Sequence, residues 1–99
     1  MNKDAFGIRS ESKGVVRLSG RLDASQAEKA KAFLEPFSEP LTLDFSDLDY
    51  ISSAGISVLM ITLKRLELSG HALRLRHVPD RVMNVFRYAG LDRLFTIET

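Results

Sequence analysis

The sequence predicts an α/β fold: one small domain with a mixed β-sheet, elements in the order ββαβαβαβ, and helices layered largely on one face. Three observations carry this expectation. Near the N-terminus, two runs of alternating apolar residues are joined by a Ser/Gly-rich turn, the pattern of an antiparallel hairpin. From Asp23 onward, short apolar strands alternate with three amphipathic helical segments, each ended by a proline or a glycine. Repeated βαβ units imply parallel neighbours with right-handed crossovers, so a parallel set adds to the antiparallel pair. A chain of 99 residues supports a single core with no room for a second, and residues 1–99 are read as one domain.

In the hairpin, Phe6 and Ile8 alternate with Gly7 and Arg9, Ser10 to Gly14 form the turn, and Val15 to Leu22 alternate again. Val16, Leu18 and Leu22 face the core; Gly20 interrupts the row, as a glycine does at a bulge or a close backbone approach. A first helix starts at Asp23 to Gln26, where Asp23 with Gln26 or Ser25 with Glu28 has capping-box spacing. It buries Ala27, Ala30, Phe33, Leu34 and Phe37, and Pro36 ends it at about Glu35. A buried strand, Leu41 to Phe45, and a short polar crossing lead to a second helix, about Ser53 to Ser69. Its stripe is Ile56, Leu59, Met60, Leu63 and Leu66, widened by Val58 and Ile61, with Gly70 as the left-handed residue after it. Ala72 to Val78 alternate Leu73 and Leu75 with Arg74 and Arg76, a strand with one wet face. Pro79 and Asp80 open a third helix that buries Val82, Val85, Phe86 and Ala89; Gly90 closes it, with Leu91 completing a Schellman contact. Phe95 to Glu98 form a short last strand.

Composition narrows the function classes. With 44% hydrophobic and 27% charged residues the chain is of the ordinary globular kind rather than disordered. A net charge of +1 gives no global electrostatic reason to expect nucleic acid or an anionic membrane as partner. Cysteine is absent, which excludes disulfides and thiolate metal sites. The segment MNKDAFGIRS lacks an apolar signal core, and no run approaches the roughly 18 apolar residues of a spanning helix. A cytoplasmic location without membrane insertion is the resulting expectation.

The stretch Leu41 to Leu59, LTLDFSDLDYISSAGISVL, organises the candidate chemistry. A strand delivers Ser52 and Ser53 to a helix N-terminus, where unpaired N–H groups and the positive end of the macrodipole favour an anion, bound or covalent. A serine there is a cap or a phosphorylation site, and spacing alone leaves both roles open to Ser52 and Ser53. Asp23 and Asp44 each fall at or near a strand's C-terminal end, where open α/β sheets gather functional loops, and both are expected near the start of the second helix. Helix capping for Asp23 and a turn for Asp44 are the alternatives.

Three motifs in order resemble the STAS domain, and more narrowly the bacterial anti-sigma-factor antagonists. They are Gly20-Arg21-Leu22-Asp23; Leu43-Asp44-Phe45-Ser46 with Ser52-Ser53-Ala54-Gly55-Ile56; and Val85-Phe86-Arg87-Tyr88-Ala89-Gly90-Leu91-Asp92-Arg93-Leu94-Phe95. Essentially the whole chain is covered. The resemblance implies the same mixed sheet, and a binding switch: the unphosphorylated protein holds an anti-sigma factor with serine-kinase activity and frees the sigma factor. That kinase phosphorylates the acceptor serine from ATP to end the interaction, and a serine phosphatase restores it. Aligned on Gly55, the acceptor is Ser53, and Asp23, Asp44, Ser46, Ser52, Ala54, Gly55 and Ile56 form the surface around it. Many members carry aspartate directly before the acceptor; here Ser52 stands there and is a competing acceptor. A STAS accessory subunit of a membrane transport ATPase and a nucleotide-binding regulatory domain are the alternatives.

An enzyme is not expected. No glycine spacing matches GxGxxG or a P-loop, and no nucleophile is paired with a base. His71 and His77 lack a carboxylate at useful spacing, which suits an exposed rim and no metal or cofactor; Arg74, Arg76, His77 and Arg81 suit a solvated edge. Met60 and Met83 are assigned to the core, and three amphipathic helices suffice for a monomer.

Overall fold

The computed structural model describes residues 5–98. Its elements are β1 (Gly7–Ser12), β2 (Val15–Leu22), a 3-10 turn (Ala24–Gln26), α1 (Ala27–Leu34), β3 (Leu41–Ile51), α2 (Ser53–Leu68), β4 (Leu73–Arg76), α3 (Asp80–Tyr88) and β5 (Thr96–Glu98). The sheet order follows the chain, β1-β2-β3-β4-β5, with β1 antiparallel to β2 and the remaining pairs parallel. Because every βαβ crossover joins adjacent strands in the same direction, right-handedness places the helices on one face.

Residue pairing separates the two faces. Val16, Leu43 and Leu75 lie side by side and are fully buried under the helices. One residue on, Arg17, Asp44 and Arg76 form the adjacent row and point to the other, uncovered face. The core runs from Val16, Leu18 and Leu22 through Leu43, Phe45 and Leu48 to Leu59, Leu63 and Phe86, with Phe86 between Phe45 and Phe95 at ring-centroid distances of 6.4 and 5.7 Å. Arg65 of α2 donates to the carbonyls of Phe37 and Leu34, at 2.5 and 2.8 Å, capping the end of α1.

Several boundaries differ from the sequence reading. β1 continues to Ser12, so the turn is only Lys13 and Gly14; a register shift between Ser10 and Ser12 and the positive φ of Gly14 let the ladder reach it. The first helix opens with a 3-10 turn capped by Asp23, and neither expected capping box forms: Gln26, at the N-cap of α1, makes no side-chain cap bond. β3 does not stop at Phe45 but runs to Ile51. Two register shifts against β2, the second beside Gly20 at φ +76°, absorb its extra residues and break the alternation by which a strand is read. Met60 and Ile61 are exposed rather than core, and so is Ala89. Gly70 and Gly90 both adopt positive φ, and the Leu91 N–H donates to the Phe86 carbonyl at 2.8 Å as a Schellman end requires. No helix among the described residues is long and apolar enough to cross a membrane.

Candidate functional site

The site begins where the long strand β3 leaves the sheet. The Ser52 N–H donates to the Leu22 carbonyl at 2.9 Å, one last parallel contact between β2 and β3. Ser52 itself is extended, with φ −93° and ψ 173°, and its carbonyl accepts the first helical bond from the Ile56 N–H at 2.9 Å. Its Oγ accepts from the Gly55 N–H at 3.3 Å. Backbone donor, backbone acceptor and side chain of Ser52 are therefore all engaged, and Ser52 is the N-cap.

Ser53 is the first residue of the helix and is exposed. Its carbonyl accepts from the Ser57 hydroxyl at 3.1 Å, while its own hydroxyl meets no hydrogen-bond partner among the described residues. Of the two neighbouring serines, then, one is a structural cap and one is a free hydroxyl at the positive end of a 16-residue helix.

Gly55 explains how the helix start stays so close to the sheet. A Cβ there would lie 2.8 Å from side-chain carbons of both Ile51 and Leu22 and 2.9 Å from the Leu22 carbonyl oxygen. Those distances leave space for hydrogen only, so the close approach demands glycine. Ala54 is half-buried and Ile56 buried beside it; both position the helix rather than face solvent.

Asp23 directly follows Leu22, whose carbonyl accepts from the Ser52 N–H, so it stands at the strand ends that lead into the helix. Its carboxylate accepts from the Ser25 hydroxyl at 2.6 Å and the Ser25 N–H at 3.0 Å. The Ser25 hydroxyl is the main cause holding its pKa below the usual carboxylate value. One step back, Arg21 and Tyr50 are paired across the strands, with the guanidinium 4.2 Å over the ring centroid. Arg21 lies in the first motif and Tyr50 outside all three, between Ser46 and Ser52, and only the ladder brings the pair together.

Asp44 and Ser46 are elsewhere, which corrects the sequence reading. Arg17 stands opposite Asp44 and Leu22 opposite Ile51, so about five rungs, roughly 17 Å, separate Asp44 from the helix start. Asp44 points to the uncovered face of the sheet and is fully buried there by polar neighbours. It accepts from the Ser46 N–H at 2.9 Å, the Ser46 hydroxyl at 2.7 Å and Arg76 Nε at 2.9 Å, and His77 Nδ1 lies 3.1 Å away. Burial pushes the Asp44 pKa up, but these bonds, led by those from Ser46, outweigh it and hold the group well below the carboxylate range. Arg17 closes the cluster by bridging Glu11 at 2.6 Å and Asp47 at 2.9 Å. The Ser46 N–H sits where the first bulge of β3 interrupts the ladder, so Asp44 satisfies a donor that the sheet leaves unpaired.

Comparison with known proteins follows the same outline. A family model described as "Mlab, STAS domain" matches residues 7–97. The anti-sigma-B factor antagonist of Bacillus subtilis (strain 168) is 26% identical over 100 residues, covering 98% of this chain and 92% of that protein. Among solved structures, an anti-sigma factor antagonist from Mycobacterium paratuberculosis has a TM-score of 0.79 at 22% identity, over 97% of this chain and 87% of that one. The Bacillus cell fate determinant SpoIIAA in its phosphorylated form has a TM-score of 0.69 at 20% identity, over 96% and 92%. Both structural likenesses are likenesses of fold.

Proposed function

The chain belongs to the STAS domain family, and from that premise we propose that it is an anti-sigma factor antagonist switched by phosphorylation of Ser53. Unphosphorylated, it holds an anti-sigma factor that is also a serine kinase, and so releases a sigma factor. The kinase transfers the γ-phosphoryl group of ATP: a bond forms from Ser53 Oγ to phosphorus, the β–γ bridging bond breaks, ADP leaves, and a base on the kinase takes the hydroxyl proton. A phosphatase reverses the modification by hydrolysis. This chain is the substrate in both directions and supplies no catalytic group of its own.

The observation that carries this reading is the exposed hydroxyl of Ser53, without a hydrogen-bond partner among the described residues, beside the engaged hydroxyl of Ser52. Support comes from the antagonist of Bacillus subtilis, similar over nearly the whole chain, and from SpoIIAA, which has been solved both phosphorylated and unphosphorylated. A phosphate on Ser53 adds a charge of about −1.5 to −2 at the end of a helix that favours it, so the domain tolerates the modification. The partner does not, because that charge and Asp23 would be buried together in one interface, at a cost of several kcal/mol.

The test is incubation with the host's anti-sigma kinase and ATP, followed by mass spectrometry and affinity measurement. Phosphate is expected on Ser53, with Ser53→Ala binding constitutively and Ser53→Asp binding poorly. Phosphate on Ser52 alone overturns the residue assignment, and tight binding by Ser53→Asp overturns the switch. A second reading, an accessory STAS subunit docked on a membrane transport ATPase, draws on the matching family model, whose description names Mlab rather than a sigma regulator. Co-purification with a membrane ATPase and no modification of Ser53 would select it.

A further inference from the structure

We propose that the end of the domain opposite Ser53 carries a small-molecule site for a zwitterion with an apolar body, a hydrophobic amino acid or a short hydrophobic peptide. The site is a cavity of about 730 Å³ between the β1–β2 turn and the α1–β3 loop. That volume falls within the roughly 300–1,000 Å³ of small-molecule pockets. The ladder from the Val15–Thr42 pair to the Leu22–Ile51 pair, roughly 23 Å of strand, separates the cavity from the start of α2, so the proposal does not rest on the switch.

The walls are held in place by the fold. The Thr42 N–H donates to the Gly14 carbonyl at 2.8 Å, and a Cβ on Gly14 would stand 3.3 Å from the Pro40 carbonyl oxygen, so turn and loop meet there. On the loop side, the Phe37 N–H donates to the Leu34 carbonyl at 3.1 Å, its carbonyl accepts from Arg65 of α2, and its ring stacks on Phe33 with centroids 6.0 Å apart. Pro36 and Pro40 stiffen the same loop. A wall fixed before a ligand arrives loses little freedom when one binds.

The lining selects the occupant by charge. The turn contributes the Ser10 and Ser12 hydroxyls and the Lys13 ammonium, while the loop contributes Phe37, the two prolines and the Glu39 carboxylate. Lys13 and Glu39 line one cavity, yet neither forms an ion pair with the other or with any described residue. Glu11, between the two cavity serines, does not cancel Lys13 either, since Arg17 and Arg76 hold it at 2.6 and 3.3 Å. A purely anionic ligand would meet Lys13 but stand beside Glu39, and a purely cationic one would face the reverse. A molecule with both charges satisfies both sides at once: its carboxylate meets Lys13 and the serine hydroxyls, its ammonium meets Glu39, and its apolar body rests on Phe37 between the prolines.

The test is a nuclear magnetic resonance titration of the full chain with phenylalanine and with the dipeptide leucyl-phenylalanine. The controls are N-acetylphenylalanine, which lacks the ammonium, phenylalaninamide, which lacks the carboxylate, and glycine, which lacks the apolar body. Amide shifts at Gly14, Phe37 and Glu39 are expected to saturate with a Kd of about 1 mM or tighter, and each control is expected to bind about fivefold more weakly or worse. Lys13→Gln should remove the advantage of phenylalanine over phenylalaninamide, and Glu39→Gln its advantage over N-acetylphenylalanine; both side chains are exposed, so neither change touches the core. Saturation by phenylalanine assigns the site to a free amino acid, and saturation by the dipeptide alone assigns it to a peptide; either upholds the proposal. Failure of every ligand to saturate the shifts overturns the site. Saturation that is unchanged in both Lys13→Gln and Glu39→Gln overturns recognition by charge, and with it the zwitterion.

Discussion

Ser52 and Gly55 are joined by a 3.3 Å hydrogen bond, from the Gly55 N–H to the Ser52 Oγ, and this contact makes two adjacent serines chemically different. The bond satisfies one of the helix's free N–H groups and keeps the Ser52 hydroxyl occupied; Ser53, one residue on, has no such duty.

Ser52→Ala is therefore expected to destabilise the domain by about 1 kcal/mol, the usual worth of a serine N-cap, while Ser53→Ala stays within about 0.5 kcal/mol of wild type. Urea unfolding of both variants checks this. Equal losses would mean that the two hydroxyls share the cap.

Gly55→Ala places a methyl group against the Ile51 and Leu22 side chains and the Leu22 carbonyl, all closer than 3.0 Å. The backbone oxygen cannot rotate away, so the helix start must lift from the strand ends. A loss of about 2–3 kcal/mol is expected, the range for overpacking a filled site. The Ser52 to Leu22 backbone bond should weaken with it, and faster amide exchange at Ser52 would report that separately from global stability.

Asp44 sets a pH dependence whose sign follows from its environment. Burial disfavours its charged form, yet the Ser46, Arg76 and His77 contacts prevail, and its folded pKa lies below the unfolded value of about 3.9. The stability it contributes is therefore fully present above about pH 4 and is lost as the pH falls through the folded pKa. Asp44→Asn is expected to cost about 2 kcal/mol at pH 7, since Arg17 and Arg76 keep partial access to water while the bulge donors lose a charged acceptor. Denaturant midpoints at pH 7 and pH 3 should show a smaller acid effect in Asp44→Asn than in wild type. An identical acid loss in both would place that pH dependence on other carboxylates.

Local chemistry was legible in the sequence. Turn glycines, the proline at the third helix, apolar alternation and the Ser-Ser-Ala-Gly helix start act through residues near in the chain, so the order ββαβαβαβ, the mixed sheet and the two rival serines could be read from them. Three things required the tertiary structure. The length of β3 depends on its ladder with β2, because two bulges erase the alternation of Ser46 to Ile51. The distance of Asp44 from the helix start follows from that extra length, and on the uncovered face it meets Arg17 and Arg76, which come from neighbouring strands. Met60 and Ile61 show the same limit: an apolar side chain on a helix specifies that some surface should cover it, and only the packed neighbours decide whether that surface lies within the chain or on another molecule.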